Sequence, residues 1–321
     1  MLYLSERDLH TLGIDWNETI SSIDHAVRCL DRGDFAQPIK PYLRYRNPVN
    51  RIIAMPAFLG GDVNAAGIKW IASFPGNLDR QIPRAHSVVV VNDADTGAPI
   101  CIVNGALLSV IRTASVSGLL LRLFDQLRTP DEVKVGITGF GPIGRYHLAM
   151  CQELLGARLR KVSIYDPRSI DLHAEGQLPE HVGLVRSWQE AYDDADVFIT
   201  CTVSSAPYID RPAKPGSLQL NVSLRDYTVH VFDQMKDAMI VDDWDEVNRE
   251  ATDIEVFHKE KGLTKEGTKS IVDVVCHGAL AGFAPAQPIL FNPMGMAVFD
   301  IAIARHFHDK ARAQGVGTTL D

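Results

Sequence analysis

"GITGFGPIGRYH", residues 136–147, decides the fold. An apolar run, "KVGIT" (134–138), leads into it, and a helix-forming run leads out. Between them Gly139-Phe140-Gly141-Pro142-Ile143-Gly144 spells G-x-G-x-x-G. In that pattern Gly139 permits the tight turn, Gly141 lets a pyrophosphate approach the backbone, and Gly144 allows helix and strand to pack closely. Pro142 and Ile143 then open a helix whose free N–H groups meet phosphate charge. Asp166 ends the next strand-like run, 22 residues after Gly144. An acid there accepts hydrogen bonds from ribose hydroxyls and repels a 2′-phosphate, so the expected cofactor is NAD rather than NADP.

Downstream of that turn the texture continues in one style. "KVSIYD" (161–166), "DVFITCT" (196–202), "SLQLNVS" (217–223) and "AMIVDD" (238–243) are short, nearly continuous apolar runs separated by helical or loop segments. Such runs point to a parallel sheet covered on both faces, a Rossmann-type doubly wound α/β domain. Upstream the style differs. Ser5 with Asp8 caps a short helix, and Ile20, Ile23, Val27 and Leu30 stripe a second that ends before Gly33. The runs 51–58, 66–73, 86–93 and 99–105 then read as an antiparallel meander. The expected organisation is an α+β domain made of residues 1–115 with 296–321, and a Rossmann domain made of 116–295.

Composition bounds the function. The 321 residues carry a formal charge of −8, which argues against a nucleic-acid or anionic-membrane surface, so positive charge must act locally in a pocket. Glu6, Arg7 and Asp8 stand where a signal peptide needs an apolar core, and no apolar run is expected to span a bilayer. Five scattered cysteines without a C-x-x-C pair read as reduced thiols in a cytoplasmic protein. The eleven histidines form no H-E-x-x-H, and no metal site is expected.

Four cations in the upstream region stand out: Arg44, Lys69, Arg84 and Arg112. Lys69 lies in "GIKWI" (67–71), inside a strand whose neighbours are apolar, where burial would depress its pKa and suit it to proton transfer. Arg112 interrupts an otherwise apolar helix, and a guanidinium in a pocket clamps carboxylates bidentately. With an acidic chain around them, these residues predict a small substrate bearing several carboxylates.

Together the motifs resemble the ornithine cyclodeaminase/mu-crystallin family over nearly the whole chain. The likeness rests on "PYLR" with Arg44, "GIKW" with Lys69, "IRTAS" with Arg112, "GFGPIG", "NVSLRD" with Asp226, and the tail "NPMGMAVFDIAIA". The resemblance implies an NAD(P)-dependent homodimer in which the upstream domain and the last helix form the substrate and dimerisation domain. It further implies Asp226 as catalytic acid/base, Lys69 with Arg44 and Arg112 at substrate carboxylates and proton traffic, and Thr113, Thr202, Ser223 and Met294 at the cofactor. "QPIKPYLR", "RIIAMP", "CTVSSAPYI", "VDDW" and "ILFNPMGMA" are similar to one branch in particular. That branch oxidises the secondary amine of N-(2-amino-2-carboxyethyl)-L-glutamate, releasing 2-oxoglutarate and L-2,3-diaminopropionate for siderophores or peptide antibiotics. Where cyclodeaminases carry a glutamate this chain has Ile53, and Arg84-Ala85-His86 adds a cation; both departures suit a polycarboxylate. Ornithine cyclodeamination, simple amino-acid dehydrogenation and reductive opine-type synthesis stay open as alternatives.

Overall fold

The computed structural model describes residues 1–128, 130–168, 170 and 179–321. The chain divides into two compact units, Met1–Val116 with Gly295–Asp321, and Ser117–Met294.

The first unit is α+β. Helix α1 (Glu6–Leu12) starts at a capping box in which the Ser5 hydroxyl accepts from the Asp8 N–H and the Asp8 carboxylate accepts from the Ser5 N–H. Helix α2 (Trp16–Asp31) buries the stripe Ile20, Ile23, Val27 and Leu30. The sheet runs β1 (Leu2–Leu4), β2 (Phe35–Ala36), β3 (Tyr42–Leu43), β4 (Arg51–Leu59), β5 (Ala65–Ser73), β6 (Ala85–Asp93) and β7 (Pro99–Asn104) in chain order. In space β4, β5, β6 and β7 form an antiparallel meander, with β1 parallel to β7. The C-terminal helix, Ala297–Gln314, packs on β4 and β5 as well as on α2. Gly67 makes the approach to β5 possible, because a Cβ there would lie 2.8 Å from the Ile301 side chain.

Helix α3 (Gly105–Arg128) carries the chain from one unit to the next. It corrects one expectation: by length and apolarity it matches a membrane span, although 72% of its most apolar window is buried.

The second unit is a Rossmann-type sheet with every described pairing parallel. Its strands are β8 (Val133–Thr138), β9 (Leu159–Tyr165), β10 (Val182–Leu184), β11 (Val197–Thr200), β12 (Leu218–Asn221), β13 (Met239–Val241), β14 (Lys269–Ser270) and β15 (Ile289–Asn292). Their order is β10-β9-β8-β11-β12-β15-β13-β14, so the chain order reverses at the β8/β11 pair, and the last strand, β15, is inserted between β12 and β13. Strands β8, β11, β12 and β15 are almost wholly buried, which is why they read as apolar runs without alternation. The crevice outside the carboxyl ends, where the order reverses, is where such sheets place ligands.

Candidate functional site

The glycine turn follows β8 and opens helix α4 (Pro142–Leu155). Gly139 has φ +83°, and a Cβ there would lie 2.4 Å from the Cys201 carbonyl oxygen, so the turn admits only glycine. A Cβ on Gly144 would lie 2.3 Å from the Gly139 carbonyl, which fixes close packing of α4 on the turn. Gly141 is different. It is the N-cap of α4, no side chain caps it, and a Cβ there would meet nothing within 4 Å. Pro142 follows at the first helical position. This leaves an open helix N-terminus with unsatisfied N–H groups, a cradle that fits a dinucleotide pyrophosphate.

Asp166 follows β9 directly. Its carboxylate accepts from the Phe140 N–H at 2.8 Å and from Arg168 Nε and Nη2, at 3.0 and 2.8 Å. Burial works to raise its pKa, but the hydrogen bonds from Arg168 and Phe140 outweigh it and hold the carboxyl below its usual range. The acid therefore braces the glycine turn.

Asp226 lies beyond the end of β12 and is fully buried. The Thr202 hydroxyl donates to its Oδ1 and the Ser223 hydroxyl to its Oδ2. Thr202 and Ser223, expected at the cofactor, thus come together on Asp226. The turn that presents it is strained, since Leu224 has φ +65°. What holds the strain is Asp253, a residue sequence reasoning missed. Its Oδ2 accepts from the backbone N–H groups of Asp226 (3.1 Å) and Tyr227 (3.2 Å) and from Asn221 Nδ2 (2.8 Å). Burial raises both carboxyls, Asp253 to about 7, with hydrogen bonds opposing the rise in each case. Met294, two residues past β15, donates its N–H to Asp242 Oδ1 at 2.9 Å.

In the first unit, Lys69 is 1% exposed while its neighbour Trp70 is 41% exposed. Strand alternation explains the contrast: Lys69 and Gly67 share the face toward the C-terminal helix, and Trp70 takes the other. Lys69 Nζ donates to Asp300 Oδ1 at 3.0 Å and to Ser109 Oγ at 2.7 Å. Arg112 Nε donates to the same Asp300 oxygen at 3.0 Å. Lys40, also buried, donates to the Gly295 carbonyl at 2.8 Å. Gly295 itself has φ +86°, and a Cβ there would lie 2.6 Å from Arg112 Nη1. Burial lowers Lys69 to about 8; Asp300 opposes that shift, and Arg112 and Lys40 add to it.

Of the four expected substrate cations, Lys69 and Arg112 come together and the other two do not join them. Arg44 is exposed, donates to the Pro48 carbonyl at 2.8 Å and lies over the Tyr42 ring. Arg84, just before β6, is half-buried and does not bond Asp300. Thr113 turns its hydroxyl to the Ser109 carbonyl at 2.7 Å, within α3. Asp300 and Lys40 were missed. The signal for Asp300 was a lone acid in "MAVFDIAIA" (296–304), which is otherwise apolar.

These features define a class, a Rossmann-type α/β unit joined to an α+β unit with a buried cationic cluster. Within that class the chain belongs to the ornithine cyclodeaminase/mu-crystallin family, whose model matches residues 9–315. It is 33% identical to an N-((2S)-2-amino-2-carboxyethyl)-L-glutamate dehydrogenase of Staphylococcus aureus, over 100% of this chain and 98% of that one. An alanine dehydrogenase of Archaeoglobus fulgidus is 24% identical over 99% of this chain and 98% of its own length. The structure of Thermococcus litoralis Delta(1)-pyrroline-2-carboxylate reductase, in complex with NADH and L-proline, superposes with TM-score 0.85, covering 100% of both chains at 24% identity. That last likeness is one of fold.

Proposed function

We propose that the protein is an NAD-dependent oxidoreductase that cleaves N-(2-amino-2-carboxyethyl)-L-glutamate to L-2,3-diaminopropionate and 2-oxoglutarate. The observation that carries this reading is the buried pair of Lys69 and Arg112 on the Asp300 carboxylate. Two buried cations there share one carboxylate oxygen, an arrangement that an anionic ligand beside them would stabilise. A substrate with three carboxylates supplies one, and the full-length relative from Staphylococcus aureus carries the matching name.

In this reading the second unit holds NAD on the Gly139–Gly144 cradle, with Asp166 toward the adenosine ribose. The first unit holds the substrate and forms the dimer. Bound NAD supplies a hydride acceptor for the α-carbon of the glutamate portion. The chain's own residues do the rest. Lys69 and Arg112 fix a carboxylate, and Lys69, near 8, exchanges the amine proton. Asp226 takes a proton from the water that adds to the C=N bond, aided by a raised pKa that brings it nearer neutrality. Collapse of the carbinolamine then releases both products. Siderophore or peptide-antibiotic synthesis is the role proposed for the diaminopropionate.

The proposed partner is a second copy of the chain. On the sheet face away from the C-terminal helix, Ile52, Pro56, Phe58, Ile68, Trp70 and Val90 are partly or fully exposed, an apolar surface of the kind a homodimer covers. Five free cysteines suit a reducing, cytoplasmic compartment.

One observation favours a second reading. Because Arg44 and Arg84 stand apart from Asp300, the cluster also suits a smaller substrate with one carboxylate, as in an alanine dehydrogenase. The test is NAD reduction followed by absorbance with the glutamate conjugate, alanine and ornithine in parallel, with amine products identified by mass spectrometry. Reduction with the conjugate alone supports the proposal. Reduction with alanine, or proline formed from ornithine without net reduction, overturns it.

A further inference from the structure

Asp300 raises a question that its neighbours do not answer. It is fully buried, and its polar contacts all run through one oxygen: Oδ1 receives both Lys69 Nζ and Arg112 Nε, at 3.0 Å each. The other oxygen, Oδ2, is buried and accepts no hydrogen bond among the described residues. A carboxylate kept for stability alone would have both oxygens satisfied, since an unmet buried acceptor is costly. The two cations it holds are each left with donors in hand. Lys69 spends two of its three N–H bonds, on Asp300 and Ser109. Arg112 spends its Nε on Asp300, and its Nη atoms lie against Gly295, where only a residue without a side chain fits.

We propose that Asp300 is a positioning residue for this site: it aligns Lys69 and Arg112 as one carboxylate-binding pair and sets the charge state of Lys69. Apart from Asp300, the groups shown to act on Lys69 among the described residues are cationic or neutral. Arg112 and Ser109 come from α3, and Lys40 from the segment before β3. Lys69 would then lose its proton more readily, and Arg112 would lose the contact that orients its plane. Asp300 thus makes the cluster selective for an anion that bridges Lys69 and Arg112. The inference takes its substrate from the function proposed above, but its first readout requires no turnover.

That readout is direct titration of the Lys69 ammonium by NMR in full-length protein labelled at lysine, assigned with Lys69→Arg. The wild type should lose the proton near pH 8. Asp300→Asn keeps the shape and removes the charge, and the Lys69 proton dissociation constant should rise about tenfold or more. An unchanged midpoint in folded Asp300→Asn overturns the inference. Ser109→Ala removes the other Lys69 partner without touching the charge, and should shift the constant less than about threefold. A shift in Ser109→Ala as large as that expected for Asp300→Asn gives control to Ser109 and also overturns it.

The second readout is turnover. With the glutamate conjugate, Asp300→Asn should raise KM about tenfold or more and move the alkaline limb of the kcat/KM profile to lower pH. Unaltered KM and an unaltered profile count against the inference even if the NMR midpoint moves. If the wild type is silent on that substrate, the proposed reaction fails while the titration still decides the role of Asp300.

Discussion

The two units bury ionisable groups by opposite devices. The first gathers Lys69 and Arg112 on one carboxylate, and charge holds them together. The second buries Asp226 and Asp253 with no ion-pair partner among the described residues; hydroxyl and amide donors hold them instead. Burial disfavours the charged form in both places, so it moves Lys69 down to about 8 and Asp226 and Asp253 up. Bases and acids are thereby drawn toward neutrality from opposite sides, which is the condition proton transfer needs. The difference lies in what can be tuned. A cluster held by charge responds to any change of charge, whereas one held by neutral donors responds to geometry.

The comparison breaks most visibly at the groups proposed to react. Lys69→Ala and Asp226→Asn should each lower kcat about 10²–10⁴-fold, with NAD affinity unchanged. Normal turnover in either variant removes that residue from the mechanism. Next comes the brace. Asp253→Ala leaves the Asp226 and Tyr227 N–H groups without their acceptor at a strained turn and should cost about 2–5 kcal/mol, read from urea unfolding. Asp253→Asn keeps an acceptor oxygen and should cost clearly less. Equal losses in the two variants would show that charge, not geometry, holds the second cluster.

A pH series sharpens the same contrast. Asp253 titrates at about 7 in the folded protein, above the ordinary value of 3.8, so the native state binds the extra proton. Its contribution to stability is present below pH 3.8 and is lost as pH rises through 7. His147, on α4, is buried between the Ile143 carbonyl and the Ser117 hydroxyl, and burial lowers it from 6.5 to about 4. Its contribution is present above pH 6.5 and is lost as pH falls through 4. Between pH 4 and 6.5 the two slopes oppose each other. Asp253→Asn should make stability climb more steeply with pH across that window, and His147→Gln should reverse the sign, both measured by denaturant midpoint. Parallel curves for all three proteins would mean that neither group is perturbed.

What was legible follows from how local each interaction is. The glycine turn could be read because its requirements sit within six residues, and the parallel sheet because burial on both faces writes apolar runs. Lys69 drew notice as a cation among apolar neighbours, yet its partner Asp300 lies 231 residues away, and no local pattern couples them. Asp253 was hidden by a second role, since it also stands in the first turn of the helix Asp253–Lys261, where acids are expected for the helix dipole. Thr202 and Ser223 were singled out for the cofactor, but which way a hydroxyl points depends on the fold, and here both turn to Asp226.

The smallest effect expected concerns cofactor choice, and it turns on a residue that sequence reading passed over. Asp166 was expected to exclude a 2′-phosphate by charge. In the structure that charge is shared, because Arg168 grips both carboxylate oxygens and is itself largely exposed. Arginine beside this position is the device that accommodates NADP in related folds. The carboxylate occupies the guanidinium, and its two proposed effects on NADP are to repel the phosphate and to withhold that guanidinium from it. Wild-type protein should bind NAD more tightly than NADP. Asp166→Ala should weaken NAD and strengthen NADP, narrowing their ratio about tenfold or more, the scale of one charge-assisted bidentate contact. Asp166→Ala combined with Arg168→Ala should lose the NADP gain while keeping the NAD loss. If the double variant binds NADP as well as the single one, Arg168 plays no part and repulsion by Asp166 is the whole of the selectivity.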